Sequence, residues 1–436
     1  MSAPGLIVAA AASGGGKTTV TLAILRALRE HGVRVSSAKV GPDYIDPAFH
    51  AAASGRPCFN LDPWAMRPET LAAIVESAGQ GANLLLVEGV MGLFDGAADG
   101  TGSTADLARM TGWPVILVLD VAGQGASVAA IARGFRDHGA GIAIAAIVAN
   151  RVGSASHRAM IERALAPLGI PLLGAFPRDE RVKLQDRHLG LVQAREHGNL
   201  DAVLARAAAQ ASEHLDLDIL CALARPGRLK APPNGVSSIP PLGQRIAIAE
   251  DDAFGFTYPH LTFSWRAQGA EILPFSPLAD EAPDGNADAV FLPGGYPELH
   301  AGQLAGNRRF LDGLRGAAAR ETIVYGECGG YMVLGEGLVD AAGQRHAMAG
   351  LLPLETSFER PRLHLGYREV RLARDVRLGR AGAGFRGHEF HYASVLREDR
   401  VAPLFYGADA ARADLGDMGC VRGCLMGSFV HLIDRR

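Results

Sequence analysis

The chain has 436 residues, of which 48% are hydrophobic and 20% charged, with five cysteines and a formal net charge of −3. That length fits two or three domains of about 100–200 residues each, and the apolar fraction excludes a mainly disordered chain. The slight acidic balance excludes the basic surface of a general nucleic-acid binder, so an anionic ligand must be held by local groups.

The cysteines are Cys58, Cys221, Cys328, Cys420 and Cys424. An odd count, in a chain too long to need staples, fits free thiols in a reducing compartment. Cys420 and Cys424 form a lone C-x3-C with no second pair nearby, which reads better as two thiols than as a zinc site. The opening MSAPGLIVAAAAS lacks a basic n-region. No uncharged apolar run reaches the ~18 residues of a membrane helix. A soluble, cytoplasmic protein is expected.

In chain order, apolar runs at Leu6–Ala12, Arg34–Val40, Leu84–Glu88, Val115–Asp120 and Ile142–Asn150 read as strands. Helical stretches at Thr18–His31, Thr104–Thr111, Ser127–Asp137 and Ser156–Leu165 lie between them. Consecutive apolar positions suit strands covered on both faces, and the alternation predicts a doubly wound α/β domain. Five prolines between Arg225 and Gly243 break the rhythm and read as a stiff linker. Strands are expected again at Arg245–Glu250, Glu271–Phe275, Ala289–Leu292 and Thr322–Tyr325. The division expected is 1–225, a linker at 226–243, and a second α/β domain at 244–436.

The first strand runs into SGGGKTT (Ser13, Gly14, Gly15, Gly16, Lys17, Thr18, Thr19) and then a helix. Such a loop lets backbone N–H groups approach phosphates at the positive end of a helix. Lys17 would reach the β/γ-phosphates of ATP and Thr18 would hold Mg²⁺. The standard spacing wants glycine at position 11, where this chain has Ala11. Carboxylates for the metal are sought at strand ends on the same sheet edge. KVGPDYIDP offers Lys39, Asp43 and Asp46, and VEGVMGLFDG offers Glu88 and Asp95. Taken singly, such acids are as readily caps and turn formers. Asn150, after a later strand, could read an adenine edge or simply end the strand.

In the second half, IVYGECGGYMVLGE sets Cys328 between small residues at a strand-to-helix turn. This is nucleophile-elbow logic with sulfur for oxygen; the turn exposes the side chain and the helix N-terminus favours thiolate. The base is open among His431, His388 and His391. FLPGGYPE could supply an oxyanion hole from the N–H of Gly295, joined by that of Gly329.

Together these motifs resemble a known family. SGGGKTT, KVGPDYIDP and VEGVMGLFDG are similar to the dethiobiotin-synthetase-like P-loop group. LPGGYPE, YGECGGYM and GSFVHL resemble class I glutamine amidotransferase domains, of flavodoxin-like fold, of the cobyrinate/cobyrate type. Their pairing in this order over essentially the whole chain resembles the a,c-diamide synthases of cobalamin biosynthesis. Cobyric acid synthases resemble the same layout but typically show a PGS-type loop where this chain has PGGYPE.

The resemblance implies that Cys328 attacks glutamine with His431 as base, and that ammonia displaces phosphate from an acyl phosphate made with ATP. It implies Thr18, Asp43 and Glu88 as metal ligands. It implies Lys39, Asp43, Tyr44, Asp46 and Asp95 as groups that position the substrate, with Asp46 at the chemistry. The acceptor would be hydrogenobyrinic acid, or cobyrinic acid in an anaerobic route; a homodimer is suggested. Ordinary class I members carry an acid two residues after the histidine, where this chain has Ile433. That points to a Cys–His dyad, slow until the other half is loaded. A P-loop nucleotide switch or metallochaperone would keep the N-terminal motifs but leave YGECGGYM unexplained.

Overall fold

The computed structural model describes residues 3–184, 186–187, 190–232, 239–399 and 402–436. They form two compact units, Met1–Trp64 with Pro68–Val236, and Ala65–Arg67 with Ser237–Arg436.

The first unit is built on seven strands: β1 (Gly5–Ala10), β2 (Val35–Val40), β3 (Cys58–Leu61), β4 (Leu84–Glu88), β5 (Val115–Asp120), β6 (Ile144–Val152) and β7 (Leu172–Pro177). Their order is β3-β2-β4-β1-β5-β6-β7 and every pairing is parallel. β1 and β4 are buried at every position, the pattern of strands covered on both faces. Helix α1 (Lys17–Glu30) follows β1, and α2 (Asp46–Ser54) follows β2. With β1 central, the loops after β1, β2 and β4 share the carboxyl edge of the sheet, where such folds place ligands. The five expected strands and four expected helices of this half are present, with ends displaced by up to about two residues. α2, β3, β7, a helix at Pro68–Gly79 and two at Leu200–His214 and Leu217–Leu223 were not anticipated. β3 is only four residues long and β7 carries glycine and proline, so neither gives a clear apolar run.

In the second unit a six-stranded sheet runs Glu271–Phe275, Arg245–Ala249, Ala289–Leu292, Ile323–Glu327, Leu425–Ser428, Cys420–Arg422. All neighbours are parallel except the last pair. The four strands expected here are present. Unlike the expectation of α/β rhythm to the end, much of residues 337–435 is antiparallel. One sheet orders His364–Leu372 between Phe405–Asp409 and Gly384–His391, with His431–Arg435 beyond the latter. His364–Leu372 is only partly buried and rich in arginine, so its alternation is hidden from a hydropathy reading.

The proline-rich stretch is pinned at both described ends. The Arg225 carbonyl accepts from Gly5 N at 2.8 Å and the Thr111 carbonyl from Arg228 N at 2.9 Å. Further on, Ile239 O accepts from Trp265 Nε1 and Leu242 O from Arg377 Nε. Its middle, 233–238, lies outside the described residues. Among the described residues no helix is long and apolar enough to cross a membrane. All five cysteines are free.

Candidate active sites

In the first unit, α1 starts at Lys17 directly after Gly16, whose φ of 85° is in the left-handed region. Gly14 also has a positive φ, of 76°. Ala11 does not, so the departure from glycine there carries no backbone strain. Ser13, Gly14, Gly16, Lys17, Thr18, Thr19, Lys39, Asp43, Asp46 and Arg151 contribute to the lining of a cavity of about 350 Å³. The P-loop and the end of β2 are thus brought to one place.

Glu88, fully buried at the end of β4, does not itself line this cavity but holds two residues that do. Its Oε1 accepts from Thr18 Oγ1 at 2.6 Å and from Lys39 Nζ at 2.7 Å. Its Oε2 lies 2.6 Å from His50 Nε2 on α2. Lys39 also meets Asp46 Oδ2 at 2.6 Å, while Asp43 Oδ1 caps α2 by accepting from the N–H groups of Ile45 and Asp46. Burial alone would neutralise Glu88, but Lys39 and His50 hold its pKa below the usual carboxylate range. Burial likewise opposes charge on Lys39, and Asp46 and Glu88 overcome it. Lys17 is lowered by burial and by the neighbouring Lys39 charge. Asp46 is raised to about 6 by burial and by Asp43.

His50 was missed by the sequence reading; it is raised to about 10 because Cys58 and Glu88 outweigh its burial. Its signal was only its place one turn beyond Asp46 in a helix that was read as a loop. A hydroxyl and three carboxylates form the hard oxygen donor set that suits Mg²⁺. Thr18, Asp43 and Asp46 line the cavity beside Lys17, so hard oxygen donors stand where the phosphates would lie and the residues fit the ion.

Asn150 and Arg151 sit where β6 loses register with β7, between Ala149 and Val152. Asn150 Nδ2 donates to Gly15 O at 3.0 Å and Arg151 Nη2 to Gly14 O at 3.3 Å, so both brace the loop. Asn150 also lines a cavity of about 110 Å³ with Gly16, Thr19, Phe176, Pro177 and Gln210. Tyr44 is buried. Asp95 is exposed and accepts from Gly92 N at 2.8 Å; neither residue lines the cavity around Lys17.

In the second unit Cys328 ends the central strand with φ 49° and ψ −106°, a strained elbow. Gly330 makes the turn feasible, because a Cβ there would run into the Leu292 carbonyl. The thiol is 2% exposed and its Sγ lies 3.9 Å from Phe390 O, so the elbow is covered rather than open. Thiolate is not favoured either: burial first, then the Glu298 carboxylate, push the thiol up, against the Gly329 N–H that bonds to it. The short helix after it is outweighed.

His431 is fully buried and packs on the PGGY loop. A Cβ on Gly294 would overlap His431 Cε1, lying 3.0 Å from its Nε2 and 3.3 Å from Cys328 Cβ. Gly294 therefore brings thiol and imidazole together, a role the sequence did not disclose. A Cβ on Gly329 would lie 3.1 Å from Gly295 N, so the two expected oxyanion-hole segments converge beside Cys328. His388 pairs directly opposite His431 across the antiparallel ladder. His391 Nε2 is taken up by Glu389 Oε1 at 2.9 Å and its ring stacks on Phe429 at 4.2 Å. Burial lowers both His388 and His431 to about 3.

Residues 6–192 match the CobQ/CobB/MinD/ParA nucleotide binding domain, and residues 245–436 the CobB/CobQ-like glutamine amidotransferase domain. The chain is 55% identical to the hydrogenobyrinate a,c-diamide synthase of Brucella abortus, covering 99% of this chain and 98% of that one. It is 52% identical to that of Rhizobium meliloti over 99% of both chains. With that of Rhodobacter capsulatus it shares 54% identity over 98% of each. Near-complete coverage at this identity, on a nucleotide-binding and an amidotransferase domain in one polypeptide, means that the chain belongs to the hydrogenobyrinate a,c-diamide synthase family.

Proposed function

We propose that the chain is an ATP- and glutamine-dependent ligase that converts the a- and c-acetate side chains of hydrogenobyrinic acid to amides. The observation that carries this is the family-level identity over the full length, with a nucleotide-binding and an amidotransferase domain both matched. In this reading 1–225 is the synthetase, 226–243 the linker and 244–436 the amidotransferase.

At the amidotransferase site Cys328 attacks the glutamine side-chain amide, His431 takes the thiol proton and returns it to the leaving ammonia, and the Gly295 and Gly329 N–H groups hold the oxyanion. Water then releases glutamate. At the synthetase site a substrate carboxylate oxygen attacks the γ-phosphorus of ATP and ADP leaves. Ammonia displaces phosphate from the acyl carbon, and the sequence repeats on the second acetate. Catalysis of phosphoryl transfer is mainly positioning and charge stabilisation. Lys17 and the loop amides meet the phosphates, while Lys39, held by Asp46 and Glu88, faces the substrate carboxylate with Asp43 and Asp46. Thr18, Asp43 and Glu88 would hold Mg²⁺, which when bound neutralises phosphate charge.

The test is incubation with ATP, Mg²⁺, glutamine and each corrinoid acid, followed by mass spectrometry. Two carboxyl-to-amide conversions on hydrogenobyrinic acid support the reading; conversion of cobyrinic acid alone reassigns the acceptor. Cys328→Ala should abolish use of glutamine and leave amidation with free ammonia. If ammonia also fails, the two-site scheme is wrong.

A further inference from the structure

The strand of the proposed base carries no acid two residues on, since Ile433 stands there. The next residue, Asp434, is committed to Arg67, accepting from its backbone N and guanidinium at 2.9–3.1 Å. Glu389, on the facing strand, is committed to Arg368 at 2.7 Å and His391 at 2.9 Å. The fold instead brings to His431 a carboxylate with no such ion pair among the described residues, that of Glu327, the residue just before the nucleophile. Its Oε2 lies 3.8 Å from His431 Nδ1. Its Oε1 accepts from Leu432 N at 3.1 Å and from Tyr325 Oη at 2.9 Å. One buried side chain therefore ties the nucleophile's strand to the base's strand and leaves its second oxygen toward the imidazole.

Resting on the reading of Cys328 and His431 above, we infer that Glu327 is the positioning acid of this amidotransferase site, replacing across the sheet the acid that ordinary class I members carry beside the histidine. When Cys328 gives its proton to His431 Nε2, the electron pair stays on sulfur for attack on glutamine. The resulting imidazolium is left with its Nδ1–H facing Glu327. A separation of 3.8 Å suits a resting site, since catalytic hydrogen bonds tighten in the complex. The other ionisable groups around this centre are His388, His391 and Glu389 from the facing strand, Glu298 near Cys328, and Tyr325 on Glu327's own strand. Burial, against the bonds from Leu432 and Tyr325, raises Glu327 to about 8. The resting acid is thus mostly protonated at neutral pH, and glutamine hydrolysis should rise with pH through that value.

The test uses the full-length enzyme and compares glutamine with ammonium chloride as nitrogen donor on either side of that pH. Glu327→Gln keeps an acceptor for Leu432 and Tyr325 and removes the ability to ionise. Above that pH it should lower kcat for glutamine on the order of 100-fold, short of the about 10⁴ lost when a serine-protease triad acid is neutralised. KM for glutamine and the ammonia-dependent rate should stay unchanged, and the rise with pH should vanish. Tyr325→Phe removes a donor that favours the anion and should move the rise to higher pH. Wild-type kcat and pH profile in Glu327→Gln overturn the inference, as does an unmoved profile in Tyr325→Phe should Glu327→Gln not fold. Glutamine use surviving in Cys328→Ala would overturn the underlying reading instead.

Discussion

Replacing Gly294 by alanine adds one methyl at the most crowded point of the amidotransferase site. The new carbon overlaps His431 Cε1 and lies 3.0 Å from Nε2 and 3.3 Å from Cys328 Cβ. Non-bonded carbons prefer about 3.5–4.0 Å, so the imidazole must retreat by on the order of 1 Å. It has little room, being fully buried on a strand laddered to His388. Overpacking of this kind costs about 1–3 kcal/mol in stability, and misplacement of a catalytic group by about 1 Å costs about 10²-fold in rate. Glutamine-dependent amidation and glutamate release should fall by about that factor, with the ammonia-dependent rate preserved. Gly294→Ala with wild-type glutamate release would refute the placement of His431 against the loop. Equal loss with both donors would show that the damage is not local.

Gly16→Ala sets a side chain at a φ of 85° and drives its methyl into the Asn150 amide. It should abolish amidation with either donor and leave only the basal, uncoupled glutamine hydrolysis; ammonia-dependent turnover near wild type would argue against the loop geometry. Glu88→Gln removes the buried anion shared by Thr18, Lys39 and His50. Breaking a buried pair costs about 3–5 kcal/mol, so a lower melting temperature is expected along with lost ATP turnover. For pH, buried His388 and His431 bind protons only near 3, against 6.5 for the free side chain. The unfolded chain therefore takes up protons that the folded one refuses. The stability these two contribute is present above pH 6.5 and is lost as pH falls toward 3. Denaturant titrations should show His388→Gln with a shallower loss on acidification than wild type; identical slopes would refute this.

The P-loop, the KVGPDYIDP and VEGVMGLFDG segments, the cysteine elbow and the PGGY loop were legible in sequence, because each packs its chemistry into a few neighbouring residues. A phosphate loop needs its glycines and lysine within one strand-turn-helix unit, and an elbow needs its small residues beside the nucleophile. Nine of the ten residues named here for the synthetase cavity lie in two contiguous motifs, Ser13–Thr19 and KVGPDYIDP, but the contacts that hold them from behind do not. His50 reaches Glu88 only because α2 and β4 meet, and nothing near either residue announces the contact.

The amidotransferase site divides the same way. Chain order placed Cys328 at a turn and left three histidines open as its base. What separates them physically is tertiary: His431 is buried against Gly294, and His391 is committed to Glu389. Sequence also implied an open elbow with a favoured thiolate, whereas the fold covers the thiol and surrounds it with carboxylates, so burial outweighs one short helix. Local chemistry is written in contiguous residues, and from it the sequence determined the fold class and the two half-reactions. Which distant side chains share a dry pocket depends on long-range strand pairing, and that alone decided the partners of Glu88, the neighbour of His431 and the proton affinity of Cys328.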